Sequence, residues 1–113
     1  MLRRKLKPSS TVFGRRLRDA RLAAELTQET LGVAIGIDEG NAAIRISRYE
    51  SGVHAPAIEQ LADIARVLNV PPGYLVTDDD RWATLLLRLN ALNSAQWQQV
   101  DALIDQLNDG RGA

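Results

Sequence analysis

Three residues near the middle of the chain, Asn41, Arg45 and Arg48, have the types and the spacing to recognise nucleobases. They are four and then three positions apart, which places them on one face of a helix. An asparagine amide can form two hydrogen bonds with adenine, and an arginine can do the same with guanine. The alternative interpretation is a solvated helix face that contacts no ligand.

Residue types that commonly carry catalysis or bind metals are scarce. The chain has no cysteine, which excludes disulfides and cysteine-ligated zinc, and one histidine, His54, which excludes any site that needs two imidazoles. Asp78, Asp79 and Asp80 are consecutive, so their carboxylates diverge and suit a helix start better than a metal site. Because we find no nucleophile–base pair and no phosphate-binding glycine loop, the sequence predicts neither an enzyme nor a cofactor.

The composition predicts one globular domain with an uneven charge distribution. The 113 residues are 45% hydrophobic and 25% charged, which are ordinary globular values. Residues 1–54 hold ten Lys/Arg and six Asp/Glu, whereas residues 55–113 hold four and eight. A basic half joined to an acidic half indicates a polyanionic partner on one side, or else a solvated basic tail.

Neither a membrane span nor a signal peptide is indicated. Every apolar run is shorter than the roughly 18 residues of a transmembrane helix. The N-terminus is basic but lacks the apolar region of a secretory signal. We therefore expect no membrane partner and a reduced, cytoplasmic compartment.

Apolar residues recur at helical spacing through most of the chain, and strand alternation is nearly absent. The pattern predicts an all-α fold: a flexible basic arm in residues 1–11, five helices in residues 12–76 and a helical hairpin in residues 77–113, with a frayed end from Asp109. The third helix has two possible starts. Either Asp38 is its N-cap, or a longer turn precedes a helix from about Asn41, since Gly40 would weaken a helix interior.

The second and third helices, joined by a turn at Gly36, are typical of a helix-turn-helix unit. Four motifs lie in and around this unit: FGRRLRDAR at residues 13–21, LTQ at 26–28, ISRYESG at 46–52 and LADIARVLNVP at 61–71. Over about residues 12–76 the chain closely resembles the XRE or lambda-repressor-like family of prokaryotic and phage transcriptional regulators. The resemblance implies that the third helix enters the major groove of double-stranded DNA.

The resemblance also implies roles for single residues. Gln28 would contact a DNA phosphate and brace the recognition helix, and Arg21 would pair with Glu50 in a structural ion pair. Arg45 and Arg48 match outward positions of the recognition helix. Helical spacing adds Asn41 to the same face, and Ser47 is a further candidate DNA contact.

Two segments flank this core. His54 lies in a loop that approaches phosphate in relatives, although a lone loop histidine is more often simply exposed. The arm residues Arg3, Arg4, Lys5 and Lys7 would either track the DNA backbone or serve only as a solubilising tail.

Two features depart from the family pattern. Gly36 and Ser47 are eleven positions apart, about four more than usual, which as helix would rotate the face by only about 40°. The register of the recognition helix on DNA therefore stays open. Glu25 occupies a position where the family often has glycine, so we expect a different helix cap there.

The predicted hairpin carries much apolar surface for two short helices. It would either cover the domain's own surface or form a homodimer interface, for which tryptophan is an enriched residue type. The candidate interface residues are Trp82, Leu85, Leu86, Leu89, Trp97, Val100, Ile104 and Leu107. The leading hypothesis is a dimeric, sequence-specific repressor that binds a twofold operator. The alternative is an antitoxin-like adaptor whose hairpin binds a protein partner.

Overall fold

A computed structural model of the chain describes residues 11–112, which form seven α-helices and no strand. The helices are α1 (Val12–Ala23), α2 (Gln28–Ala34), α3 (Glu39–Ser51), α4 (Ile58–Leu68), α5 (Pro72–Val76), α6 (Asp80–Asn90) and α7 (Ser94–Gly112). The all-helical prediction is confirmed. The arm residues Arg3, Arg4, Lys5 and Lys7 lie outside the described residues.

Polar side chains cap the first three helices. The Thr11 hydroxyl accepts a hydrogen bond from the Gly14 N–H at 3.1 Å, and the Thr27 hydroxyl accepts one from the Thr30 N–H at 3.0 Å. The Asp38 carboxylate caps α3, so the first of the two possible starts is the one observed. The extra residues therefore lengthen α3 at its N-terminus, where Gly40 falls in the first turn.

The end of α1 corrects the expectation of a different cap at Glu25. Glu25 itself takes the left-handed conformation, with φ of 60°. Its N–H donates to the Leu22 carbonyl at 3.0 Å, and the Leu26 N–H donates to the Arg21 carbonyl at 3.1 Å. These two hydrogen bonds form a Schellman motif, the helix cap that usually contains glycine. In a non-glycine residue such as Glu25 the left-handed backbone conformation costs about 1–2 kcal/mol.

Each of the first five helices contributes one large, fully buried side chain to the core. These are Leu17, Leu31, Ile46, Ile64 and Leu75. Burial of each such side chain contributes about 1.5–3 kcal/mol. The apolar faces of five short helices, each too short to be stable alone, thus meet in one cluster.

Glycines allow α3 to approach α1 and α2 closely. A Cβ atom on Gly32 would lie 2.6 Å from the Cβ of Ala42, and one on Gly14 would lie 2.3 Å from the Glu50 carbonyl oxygen. Both distances are far below a normal carbon contact. The absence of these two side chains therefore sets how deeply α3 sits between its neighbours.

Arg16 is a structural residue that the sequence pattern did not reveal. Its buried guanidinium donates to the Thr77 and Asp78 carbonyls and pairs with Asp80 at 3.0 Å. It also lies over the Tyr74 ring, 5.7 Å from the centroid. Burial raises the pKa of Tyr74, as does the Asp19 carboxylate, while the Arg16 charge opposes the rise. Arg16 thus joins α1 to the start of α6.

The two C-terminal helices are present but do not pack along each other as a hairpin. Ala83 is buried in the core cluster, Leu86 packs against it, and the Asn90 amide donates to the Asn69 carbonyl at 2.9 Å, so α6 belongs to the body of the domain. In contrast, α7 makes no extensive contact with any other described helix. Leu86, a candidate interface residue, is thus half-buried against the core of its own domain.

The expectation of a frayed end from Asp109 is also wrong, because α7 continues to Gly112. Its length follows from the absence of a stop signal between Ser94 and Gly112. The segment contains no proline, and Gly110 does not adopt the positive φ that ends α3 at Gly52.

Candidate nucleic-acid interface

The third helix presents one buried face and one open face. Ala42, Ile46 and Tyr49 are buried, whereas Asn41 and Ser47, together with Arg45 and Arg48, are exposed. Tyr49 fixes the buried face, since its ring meets Phe13 edge-on at 6.3 Å and its hydroxyl donates to Gln60. The open face is therefore held rigidly by core packing and remains available to a ligand.

The centre of the open face is Ile44, which is not among the residues predicted to contact DNA. Ile44 is two positions from both Ala42 and Ile46, so at about 100° per residue it points directly away from the core. It is 51% exposed. Asn41, Arg45 and Arg48 lie to one side of this central line. In sequence an aliphatic residue at this position is indistinguishable from a core residue, and only the structure shows that it is exposed.

A buried carboxylate at the end of α3 joins the helices around it. Glu50 accepts hydrogen bonds from Arg21, Nε to Oε2 at 2.5 Å and Nη2 to Oε1 at 3.2 Å. It also accepts one from Gln28 Nε2 at 3.1 Å. Arg21 further donates to the Leu26 carbonyl at 2.9 Å. The cluster ties α1 and the start of α2 to the recognition helix through a two-pronged, charge-assisted pair.

A shallow depression of about 120 Å³ lies where α1, α2 and α3 meet. Its lining includes Gln28 and Glu50, along with Arg18, Ser47 and Ser51. The Glu50 carboxylate is already occupied by Arg21 and Gln28, which leaves the Arg18 guanidinium as the charged group of the remaining lining. The structure thus places Gln28 and Ser47 side by side at the edge of the open face.

His54 lies apart from the helix face, in the loop after Gly52. It is exposed, and its backbone N–H donates to the Arg48 carbonyl at 3.2 Å. Gly52 itself takes φ of 83°, which turns the chain sharply at the end of α3. His54 therefore lies close to the end of the recognition helix but is not part of the cluster around Glu50.

The consecutive aspartates have structural partners in the described chain. The Asp79 carboxylate accepts a hydrogen bond from the Arg81 N–H at 2.8 Å and caps α6, and Asp80 pairs with Arg16. Within residues 11–112 no group of three or more potential metal-ligating side chains comes together. No helix among the described residues is both long and apolar enough to cross a bilayer.

An exposed apolar surface lies on the C-terminal helices, away from the recognition helix in sequence. On α6, Trp82 is 60% and Leu85 39% exposed, while Leu89 is half-buried. On α7, Val100 is half-buried, and the exposed apolar residues are Trp97, Leu103, Ile104 and Leu107. The α7 residues recur at spacings of three and four and so form one stripe. We call the exposed residues of this set the C-terminal apolar stripe: Trp82, Leu85, Trp97, Leu103, Ile104 and Leu107.

Comparison with known proteins agrees with this geometry. A family model described as helix-turn-helix matches residues 17–75, which is more than half of the chain. The chain belongs to the XRE-type helix-turn-helix family. Its members are DNA-binding transcriptional regulators and not enzymes, so the recognised resemblance, the regulator class and the non-enzymatic nature of the chain are confirmed.

Individual relatives extend the match beyond the helix-turn-helix unit. The crystal structure of the transcriptional regulator BswR superposes with a TM-score of 0.79 at 34% identity, covering 82% of this chain and 92% of that one. The phage CTXphi transcriptional repressor RstR of Vibrio cholerae is 24% identical over 85% of this chain and 87% of its own length. Both matches therefore extend beyond residues 17–75.

A third relative matches only in part. A transcriptional regulator in the ATPase CF(0) region of Rhodospirillum rubrum is 38% identical over 60% of this chain. The match spans 59% of that relative's own length.

Proposed function

We propose that this regulator is a repressor that binds a twofold DNA operator as a homodimer and reads bases with α3. The observation that carries the proposal is the open face of α3, where Asn41, Arg45 and Arg48 are exposed while the opposite face is locked into the core. These side chains carry the donors and acceptors that read adenine and guanine in the major groove.

Phosphate contacts are assigned to the edge of the same face. The Gln28 amide is held by Glu50 beside Ser47, at the N-terminus of α2, where backbone N–H groups favour anions. His54 is assigned a further contact with the DNA phosphate backbone, because its loop leaves α3 directly after Gly52. Contacts of this kind fix the position of a protein on DNA without reading sequence.

A homodimer is proposed from the C-terminal apolar stripe. An amphipathic helix normally turns such a stripe toward a core, yet α7 meets no such core among the described residues. A second copy supplies an identical stripe, and two identical surfaces related by a twofold axis are self-complementary. Twofold assembly also matches the symmetry of operators read by helix-turn-helix dimers. The assignment as a repressor follows RstR, which is named as one.

Binding of alanine variants to a selected duplex and to its scrambled counterpart tests the proposal. Arg45→Ala and Arg48→Ala should each lose about 1–3 kcal/mol of the preference for the selected duplex, because a base contact is removed. Gln28→Ala should weaken binding to both duplexes alike, since phosphates are common to both. Equal losses on both duplexes for the arginine variants would contradict base reading.

The adaptor hypothesis rests on the same stripe, because a different protein could cover it. Size-exclusion chromatography of the purified chain separates the two ideas. A concentration-dependent dimer supports self-association. A monomer at all concentrations that forms a stable complex with a co-expressed protein would favour the adaptor.

A further inference from the structure

The open face of α3 has an apolar centre that hydrogen bonding to bases leaves unexplained. Ile44 is 51% exposed at the point farthest from the core. Leaving a large aliphatic side chain in water gains nothing for folding. The core side of α3 is complete without it, since Ala42 and Ile46 are fully buried.

The surroundings of Ile44 leave it accessible to a flat or concave surface. One turn before it on the helix is Gly40, beside which a Cβ atom would meet only the Asp38 carboxylate at 3.3 Å. Ala43 and Ser47 flank one side of Ile44 and are also small and exposed. The longer side chains Asn41 and Arg48 stand on its other side. Along the helix axis Ile44 therefore lies between the positions of Asn41 and Arg48, and on its other side the helix carries little bulk.

The major groove offers one apolar group, the C5 methyl of thymine. We propose that Ile44 is a specificity-determining residue that packs against a thymine methyl, between the base pairs contacted by Asn41 and Arg48. This inference rests on the proposed function, and it assigns a chemical preference to a position in the operator. The contact requires no hydrogen bond, because cytosine and uracil both lack the C5 methyl group of thymine.

Replacement of thymine by deoxyuridine, one position at a time, tests the inference on a duplex selected by the wild-type protein. The substitution removes one methyl group and keeps every hydrogen-bonding atom. Burial of a methyl group corresponds to about a fourfold change in affinity per half-site. We expect one thymine per half-site whose replacement weakens wild-type binding by about that factor, and we expect Ile44→Ala to bind the thymine and deoxyuridine duplexes equally.

Leu22→Ala is the matched control, because Leu22 is a 53% exposed apolar residue outside α3. It should retain the full wild-type preference for the methyl group. Circular dichroism should show unchanged helicity for Ile44→Ala, since alanine favours an exposed helix position.

The outcomes separate this inference from the proposed function. A selected duplex on which no deoxyuridine substitution matters, or on which Ile44→Ala keeps the wild-type preference, overturns the role of Ile44 and leaves base reading by α3 intact. Failure to select any sequence overturns both.

Discussion

At the scale of single residues, Glu50 decides the geometry of the recognition helix. Its side chain is buried, and it is held by Arg21 and Gln28 from two other helices. A buried ion pair adds little net stability compared with apolar residues, but removal of one partner leaves an uncompensated charge. The pair therefore acts as a constraint on where α3 lies.

Replacing Glu50 alone should be strongly destabilising. We expect Glu50→Ala to lower the free energy of unfolding by about 3–5 kcal/mol, because Arg21 is left buried without its partner. Urea denaturation measures the change. The double variant Arg21→Met/Glu50→Leu is the control. It should lose much less stability than the single variants Arg21→Met and Glu50→Leu lose in sum. Additive losses would contradict the coupling.

At the scale of elements, the crossing of α2 and α3 depends on close backbone approach. Gly32 lies against Ala42 with no room for a side chain. The two helices form the helix-turn-helix unit, so their separation sets the angle at which the open face meets DNA.

A methyl group at this crossing should disturb both stability and binding. We expect Gly32→Ala to cost about 1–3 kcal/mol of stability through overpacking, and to weaken DNA binding because α3 shifts. Thermal unfolding and a binding titration measure the two effects. Gly40→Ala is the matched control: it lies in the first turn of α3 and should change stability by no more than about 1 kcal/mol. Equal behaviour of the two variants would show that the crossing tolerates a side chain.

Local features of the fold were predictable from sequence because they depend on neighbouring residues. Gly36 marked the turn before α3 and Asp38 a possible cap of that helix, and the structure has a positive φ at Gly36 and a capping carboxylate at Asp38. Features set by tertiary contact were not predictable. The burial of Arg16 depends on carbonyls at Thr77 and Asp78, about sixty residues away in sequence.

The candidate site was predictable in part for the same reason. Helical periodicity placed Asn41, Arg45 and Arg48 on one face, and all three are exposed in the structure. Periodicity does not say which partner an apolar stripe meets, so Leu86 was assigned to an interface although it packs inside its own domain. Ile44 was missed because an exposed apolar residue resembles a core residue in sequence.

At the scale of the whole molecule, the body and α7 have different tasks. The body holds the open face of α3, while α7 extends without covering its own apolar side. Both tryptophans of the chain, Trp82 and Trp97, lie in the C-terminal apolar stripe. Burial of either indole ring on self-association would shift its emission to the blue.

A charge placed within the stripe should separate the protomers. We expect Ile104→Asp to convert a dimer to a monomer in sedimentation velocity, and to abolish a concentration-dependent blue shift of tryptophan emission, because a buried unpaired carboxylate opposes association. Gln106→Asp adds the same charge on the opposite side of α7 and should remain dimeric. Dimers of unchanged affinity in both variants would exclude the stripe as the interface.

The central claim is that two copies of α3 read bases in a twofold arrangement. Selection of bound sequences from a random duplex library at physiological salt tests it most directly. We expect an enriched inverted repeat whose half-site centres are about 34 Å, or one helical turn, apart or a multiple of it. Absence of an enriched sequence, with only salt-sensitive general binding, would contradict the claim.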